Sequence, residues 1–63
     1  VIIGYGVRDR LDRPLRRGWE TSEAPFAGTL GIWTTTKEQE AIAAVERFPP
    51  AVGARVVVVR LGQ

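Results

Sequence analysis

Five arginines fall within ten residues, Arg8, Arg10, Arg13, Arg16 and Arg17, and Trp19 follows closely. Guanidinium groups grip phosphates or carboxylates at two points, and an exposed indole stacks on a base or fills a partner's pocket. Asp9 and Asp12 interrupt the run, so residues 8–17 carry a net +3 in a chain whose overall charge is +2. One segment therefore holds all the excess charge. It reads as an interface for another protein or, alternatively, as a nucleic-acid-binding patch. The competing structural reading is a solvated loop, with the aspartates paired to arginines and Trp19 in the core.

Catalytic chemistry has little to work with. Asp9, Asp12, Glu20 and Glu23 supply carboxylates for an acid–base pair or a hard-cation site, but their spacing matches no cation-binding loop. Pairing with the many arginines accounts for them better. A carboxylate-based enzyme is the third and least favoured reading. Ser22 is the single serine, and with no His in the chain it has no imidazole to activate it. No Cys is present either, which removes disulfides and thiolate metal sites. No catalytic residue, metal site or cofactor is assigned, and the expectation is a non-enzymatic protein. Gly4-Tyr5-Gly6 after an apolar start imitates the opening of a dinucleotide-binding turn, but Asp9 stands where a third glycine belongs. Two glycines on one face of a packed strand explain the motif, and that face is expected to be tightly packed or covered.

Length limits what must position these residues. Sixty-three residues allow one small domain, residues 1–63, near the lower limit for folding alone. No run approaches the roughly 20 apolar residues of a membrane-spanning helix, so no membrane association is expected. The lack of cysteine fits a cytoplasmic protein. Val rather than Met stands first, which suggests residues removed upstream or an alternative start codon.

The clearest organisation lies in residues 32–61. Thr35-x-x-Glu38 and Thr36-x-x-Gln39 both match a capping box and predict a helix start. Ala41, Ile42, Val45 and Phe48 form an apolar stripe at helical spacing, and Pro49-Pro50 ends it, giving a helix over 36–47. Residues 54–61 hold four consecutive valines and predict a strand buried on both faces, with Val56–Val59 central in the sheet. Alternation predicts strands at 1–7 and 29–34, with a short edge strand near 17–20. Arg8 to Arg17 reads as a loop with an extended piece before Pro14. The 29–34 strand, helix and last strand form a βαβ-like unit that would join parallel neighbours. The fold class is α+β: a small two-layer β-β-α-β domain with a three- to four-stranded sheet and one helix.

The run Trp33-Thr34-Thr35-Thr36-Lys37-Glu38-Gln39-Glu40-Ala41, then a short helix and the valine-rich last strand, resembles small uncharacterised proteins of bacteriophages and their bacterial hosts. The resemblance covers residues 32–61. It implies a strand meander, one helix, a last strand and an accessory, non-enzymatic role, and it carries no functional residues across.

Self-association is expected as well, most simply as a symmetric homodimer. One helix covers one face of a sheet, and both the first and last strands are apolar on both faces. The rival is a monomer in which residues 8–28 fold over the second face and supply Leu11, Leu15, Trp19 and Phe26 as cover.

Overall fold

A computed structural model describes residues 2–62; the expected strand residue Val1 lies outside the described residues. Two strands, β1 (Ile3–Arg8) and β2 (Arg55–Arg60), pair antiparallel, and one helix, α1 (Glu38–Glu46), packs on one side of them. Among the described residues the protein is therefore a small α+β domain with a two-stranded sheet and one α-helix.

Tyr5 lies opposite Val58 and Val7 opposite Val56. Opposed residues share a face, and this one meets the core: Val7 joins Leu15, Trp19, Phe26, Ala41 and Ala44, with Tyr5 and Val56 packed against them. Gly4, Gly6, Val57 and Val59 form the opposite face. The chain then leaves β1 through a tight reversal. The Asp12 amide donates to the Asp9 carbonyl at 2.9 Å, and Asp12 itself takes a left-handed φ of 63°. A turn followed by one left-handed residue is a common hairpin closure, and Asp tolerates that conformation better than most residues. The extended piece expected before Pro14 is therefore this turn, and the return leg begins at Pro14. Pro14 bridges Arg8 at a position where the ladder asks for no proline N–H, and Leu15 donates to the Val7 carbonyl at 2.8 Å.

The expected third strand at 29–34 does not form as a strand. Ile32 makes a single bridge to Arg16, and Thr35 makes one to Tyr5. Gly28, at φ 109°, and Gly31 interrupt the segment, and its partner is broken by Pro14. The segment and β2 run in the same direction, but they are not neighbours, because β1 lies between them. Nor does 17–20 become an edge strand. Gly18, left-handed at φ 75°, swings the chain into a 3₁₀ turn at Trp19–Thr21 and delivers Trp19 to the core.

The valine run is not central. β1 is flanked on both sides, while β2 lies at the margin with Val58 67% exposed. Gly4 explains the exchange. Main chain can close on Gly4 where no side chain stands: a Cβ there would sit on the Leu61 side chain and 2.9 Å from the Thr35 carbonyl oxygen. That carbonyl accepts from the Tyr5 amide at 2.7 Å and cannot retreat without losing the bond. Gly4→Val is expected to lower stability by about 1–3 kcal/mol. Gly62→Ala, where a Cβ meets nothing within 4 Å, is expected to stay within about 0.5 kcal/mol of the parent. Urea titrations of the two variants check this, and equal midpoints would refute the close-approach account.

The helix starts two residues later than expected, and neither capping box forms. Lys37 is the N-cap, in extended conformation and without a side-chain cap. Thr35 is held outside the helix by exchanging both backbone bonds with Tyr5. Its hydroxyl accepts from the Lys37 amide at 3.1 Å and donates to the Glu40 carboxylate, so it braces the first turn from one side. Ala41 and Ala44 are the buried helix residues, whereas Ile42 is half-buried. Small side chains let the helix approach the aromatic cluster, in which Phe48 lies 5.5 Å from Trp19 and 5.1 Å from Phe26.

Residues 8–28 thus fold against the helix side and contribute Leu15, Trp19 and Phe26 to the core; Leu11 stays 65% exposed. They do not close over the face that carries Gly6, Val57 and Val59.

Candidate functional site

The arginine segment is built around one buried carboxylate. Asp9 is 2% exposed. Its Oδ1 accepts from the Leu11 and Arg13 amides at 3.0 and 2.9 Å, and its Oδ2 accepts from Arg13 Nε at 2.9 Å and Nη2 at 2.8 Å. Burial pushes its pKa up, but the Arg13 amide, the Arg13 guanidinium and the Leu11 amide outweigh that and hold it below its ordinary 3.8. Asp9 is therefore a fixed anion and has no proton to give near neutral pH.

The other members separate. Arg8 donates to the Asp12 carbonyl at 2.6 Å, and Arg55 donates to the Asp9 carbonyl at 2.7 Å and to Asp12 Oδ1 at 2.9 Å. Arg16 donates to the Leu30 carbonyl at 3.1 Å. Arg17 is exposed and lies along Gly31; Arg10 is exposed beside Gly53. Trp19, 7% exposed, is a core residue with Arg47 4.8 Å above its ring. The structure thus gathers Arg8 and Arg13 around the two aspartates, sets Arg16 and Arg17 beside residues 30–31, and removes Trp19 from the surface. Arg55 is the member that the sequence reading lacked. It arrives from 46 residues away, and no local spacing announces it.

Alternation decides which side chains reach the open face. Leu15 is fully buried and Trp33 packs against the core, so Pro14, Arg16, Ile32 and Thr34 project the other way. Pro14, Ile32 and Thr34 meet Gly6, Val57 and Val59 around a shallow groove of about 180 Å³, bordered by Arg8 and Arg60. All five aromatic residues, Tyr5, Trp19, Phe26, Trp33 and Phe48, belong to the core cluster on the helix side.

The margin of β2 is the second feature of this site. Tyr5 and Val7 direct their backbone bonds to Thr35 and Leu15, so Gly4, Gly6 and Arg8 bond to β2 at Val59, Val57 and Arg55. The amides and carbonyls of Val56, Val58 and Arg60 therefore face outward, with no strand beyond them among the described residues. Such an edge is a template for another strand.

A second hollow, about 340 Å³, lies between Trp19, Trp33 and the helix. Arg47 already occupies its aromatic wall and stands 4.0 Å from Glu20, so its charges satisfy one another. The carboxylates are dispersed as well. Asp9 and Asp12 serve arginines, and the Ser22 hydroxyl accepts from the Ala24 amide at 3.1 Å. Among the described residues no three metal-ligating side chains gather, and no helix is long and apolar enough to cross a membrane. No protein-family model, curated protein or solved structure matches the chain.

Proposed function

We propose that the protein is a non-enzymatic accessory module that binds another protein by accepting one of its strands at the outer edge of β2. The observation that carries this is the unpaired margin of β2, continuous with an apolar groove on one face and with the 67%-exposed Val58 on the other. Main-chain bonds supply affinity in such docking, and side chains on alternate faces supply specificity. Of the arginine segment Arg8 borders the groove beside this edge, and Arg8 and Arg13 are engaged with Asp12 and Asp9.

The nucleic-acid reading has less support. A single strand is gripped by aromatic faces set along a basic groove, and every aromatic side chain here sits on the helix side of the sheet. Titration with single- and double-stranded DNA and with RNA at two salt concentrations tests this. The expected result is no saturable binding at low salt. Salt-sensitive binding that Arg16→Ala and Arg17→Ala weaken would overturn the protein-docking reading in favour of nucleic acid.

A further inference from the structure

We infer that the strand accepted by β2 is a short apolar run bracketed by carboxylates. This rests on the edge-docking reading above and names the chemistry of its partner. β2 reads Arg55-Val56-Val57-Val58-Val59-Arg60, with a guanidinium at each end of four valines. A strand laid along its outer edge meets Val58 on the helix side. On the other side it meets Val57 and Val59, which form the near wall of the groove over Gly6. It must be apolar on both faces over that stretch, for about four residues at the rise of an extended chain.

The ends set the charge. Arg60 is exposed and has no carboxylate partner among the described residues. Arg55 shares Asp12 with Arg8, which leaves a net positive charge at that end of the edge. Asp12 is the one carboxylate that these pairings bring to the edge. A partner strand with acidic residues beyond its apolar run places one carboxylate opposite Arg60, whose guanidinium is open to two-point pairing, and another opposite the net positive charge of Arg8 and Arg55 around Asp12.

The same charges disfavour a second copy of this chain at the edge. Antiparallel copies bonded through their outward groups align about Val57 or Val58. Either register strings Arg55 and Arg60 of both copies along one seam. Like charges at a sheet margin are a usual guard against pairing of identical edges. The acidic-bracketed strand is the occupant that these arginines admit.

The test uses three synthetic peptides: a Val/Thr run flanked by Glu pairs, the same run flanked by Lys pairs, and a Gly/Ser run flanked by Glu pairs. Binding is read by calorimetry and by amide NMR shifts at Val56–Arg60. The Glu-flanked Val/Thr peptide is expected to bind at least about tenfold tighter than either control and to weaken as salt rises. Arg60→Glu, an exposed change that leaves the core intact, is expected to reverse the preference between Glu and Lys flanks. Val58→Pro removes an outward amide that bonds to nothing among the described residues and is expected to abolish binding, with circular dichroism confirming the fold. Equal affinity for Glu and Lys flanks, lost with Val58→Pro, would overturn the charge assignment while leaving edge docking intact. Binding indifferent to Val58→Pro and confined away from Val56–Arg60 would overturn edge docking itself. So would failure of all three peptides to bind. A sedimentation mass near twice 6.9 kDa, returned to monomer by Val58→Pro, would make a second copy the occupant and overturn the acidic strand.

Discussion

Leu15→Ala is expected to remove a large share of the protein's folding stability. Leu15 is 0% exposed and comes from a segment with no regular secondary structure around it. Its amide donates to Val7 and its carbonyl accepts from Trp33, each at 2.8 Å, so it fastens residues 31–33 to β1. Truncating a buried leucine to alanine typically costs about 2–5 kcal/mol, depending on how far the site can collapse. Typical stability is about 0.05–0.15 kcal/mol per residue, which for a chain of this size means about 3–9 kcal/mol in all. One residue in the arginine loop therefore commands a large share of the total. Leu15→Met, which conserves volume, is expected to cost less than about 1.5 kcal/mol. Denaturant titration of the pair decides it. A loss under about 1 kcal/mol for Leu15→Ala would show that the loop is not fastened through this side chain.

That a loop residue should be the best-buried side chain was not legible in the sequence. Leu11 and Leu15 look equivalent there, four apart in an arginine-rich stretch, yet one is 65% exposed and the other 0%. The turn at Asp9–Asp12 separates them, and its closure depends on the Asp9 side chain. Local signals fared better. Pro49-Pro50 stops α1 and the valine run is a strand, because each of these is set by the residues themselves, whereas the extended piece expected before Pro14 is a turn closed by left-handed Asp12. What depended on partners was not readable. β-Branched residues read as a buried central strand only if something covers both faces and both edges. Here Gly4 lets other segments close on β1 instead, and β2 is left at the margin. Thr35 shows the same limit. Its spacing to Glu38 fits a cap, but two bonds to Tyr5 hold it short of the helix. Of the candidate site, the arginines were visible by type, whereas the pairing of Arg55 with Asp9 and Asp12 belongs to tertiary structure alone.

Asp9→Asn is expected to be the most damaging single change of charge in the protein, and its effect should depend on pH in a definite direction. The amide retains one oxygen, so the Leu11 and Arg13 amides keep an acceptor in the position of Oδ1. The second oxygen becomes an NH₂ group facing the Arg13 guanidinium, donor against donor, at a site from which water is largely excluded. Arg13, already half exposed, must then turn away, and the turn that aims Leu15 at the core keeps its backbone acceptor but loses the guanidinium clamp across it. In the parent, burial raises the Asp9 pKa, but the three donors outweigh it and leave the folded value below the 3.8 of the unfolded chain. A depressed pKa means that the folded state prefers the anion. The stabilisation is fully present above 3.8 and fades as pH falls through the lower folded value. Asn cannot titrate. The stability gap between parent and variant should therefore be widest at neutral pH and should narrow as pH drops below 3.8, because the parent loses what the variant never had. Asp12→Asn touches an exposed carboxylate shared by Arg8 and Arg55, and a surface pair of this kind is worth only about 0–1 kcal/mol. Urea midpoints of all three proteins, taken at neutral and at acid pH, measure the gaps. A gap for Asp9→Asn that stays constant across that range would refute the role of its charge, and a gap no larger than that of Asp12→Asn would remove Asp9 from the centre of the loop.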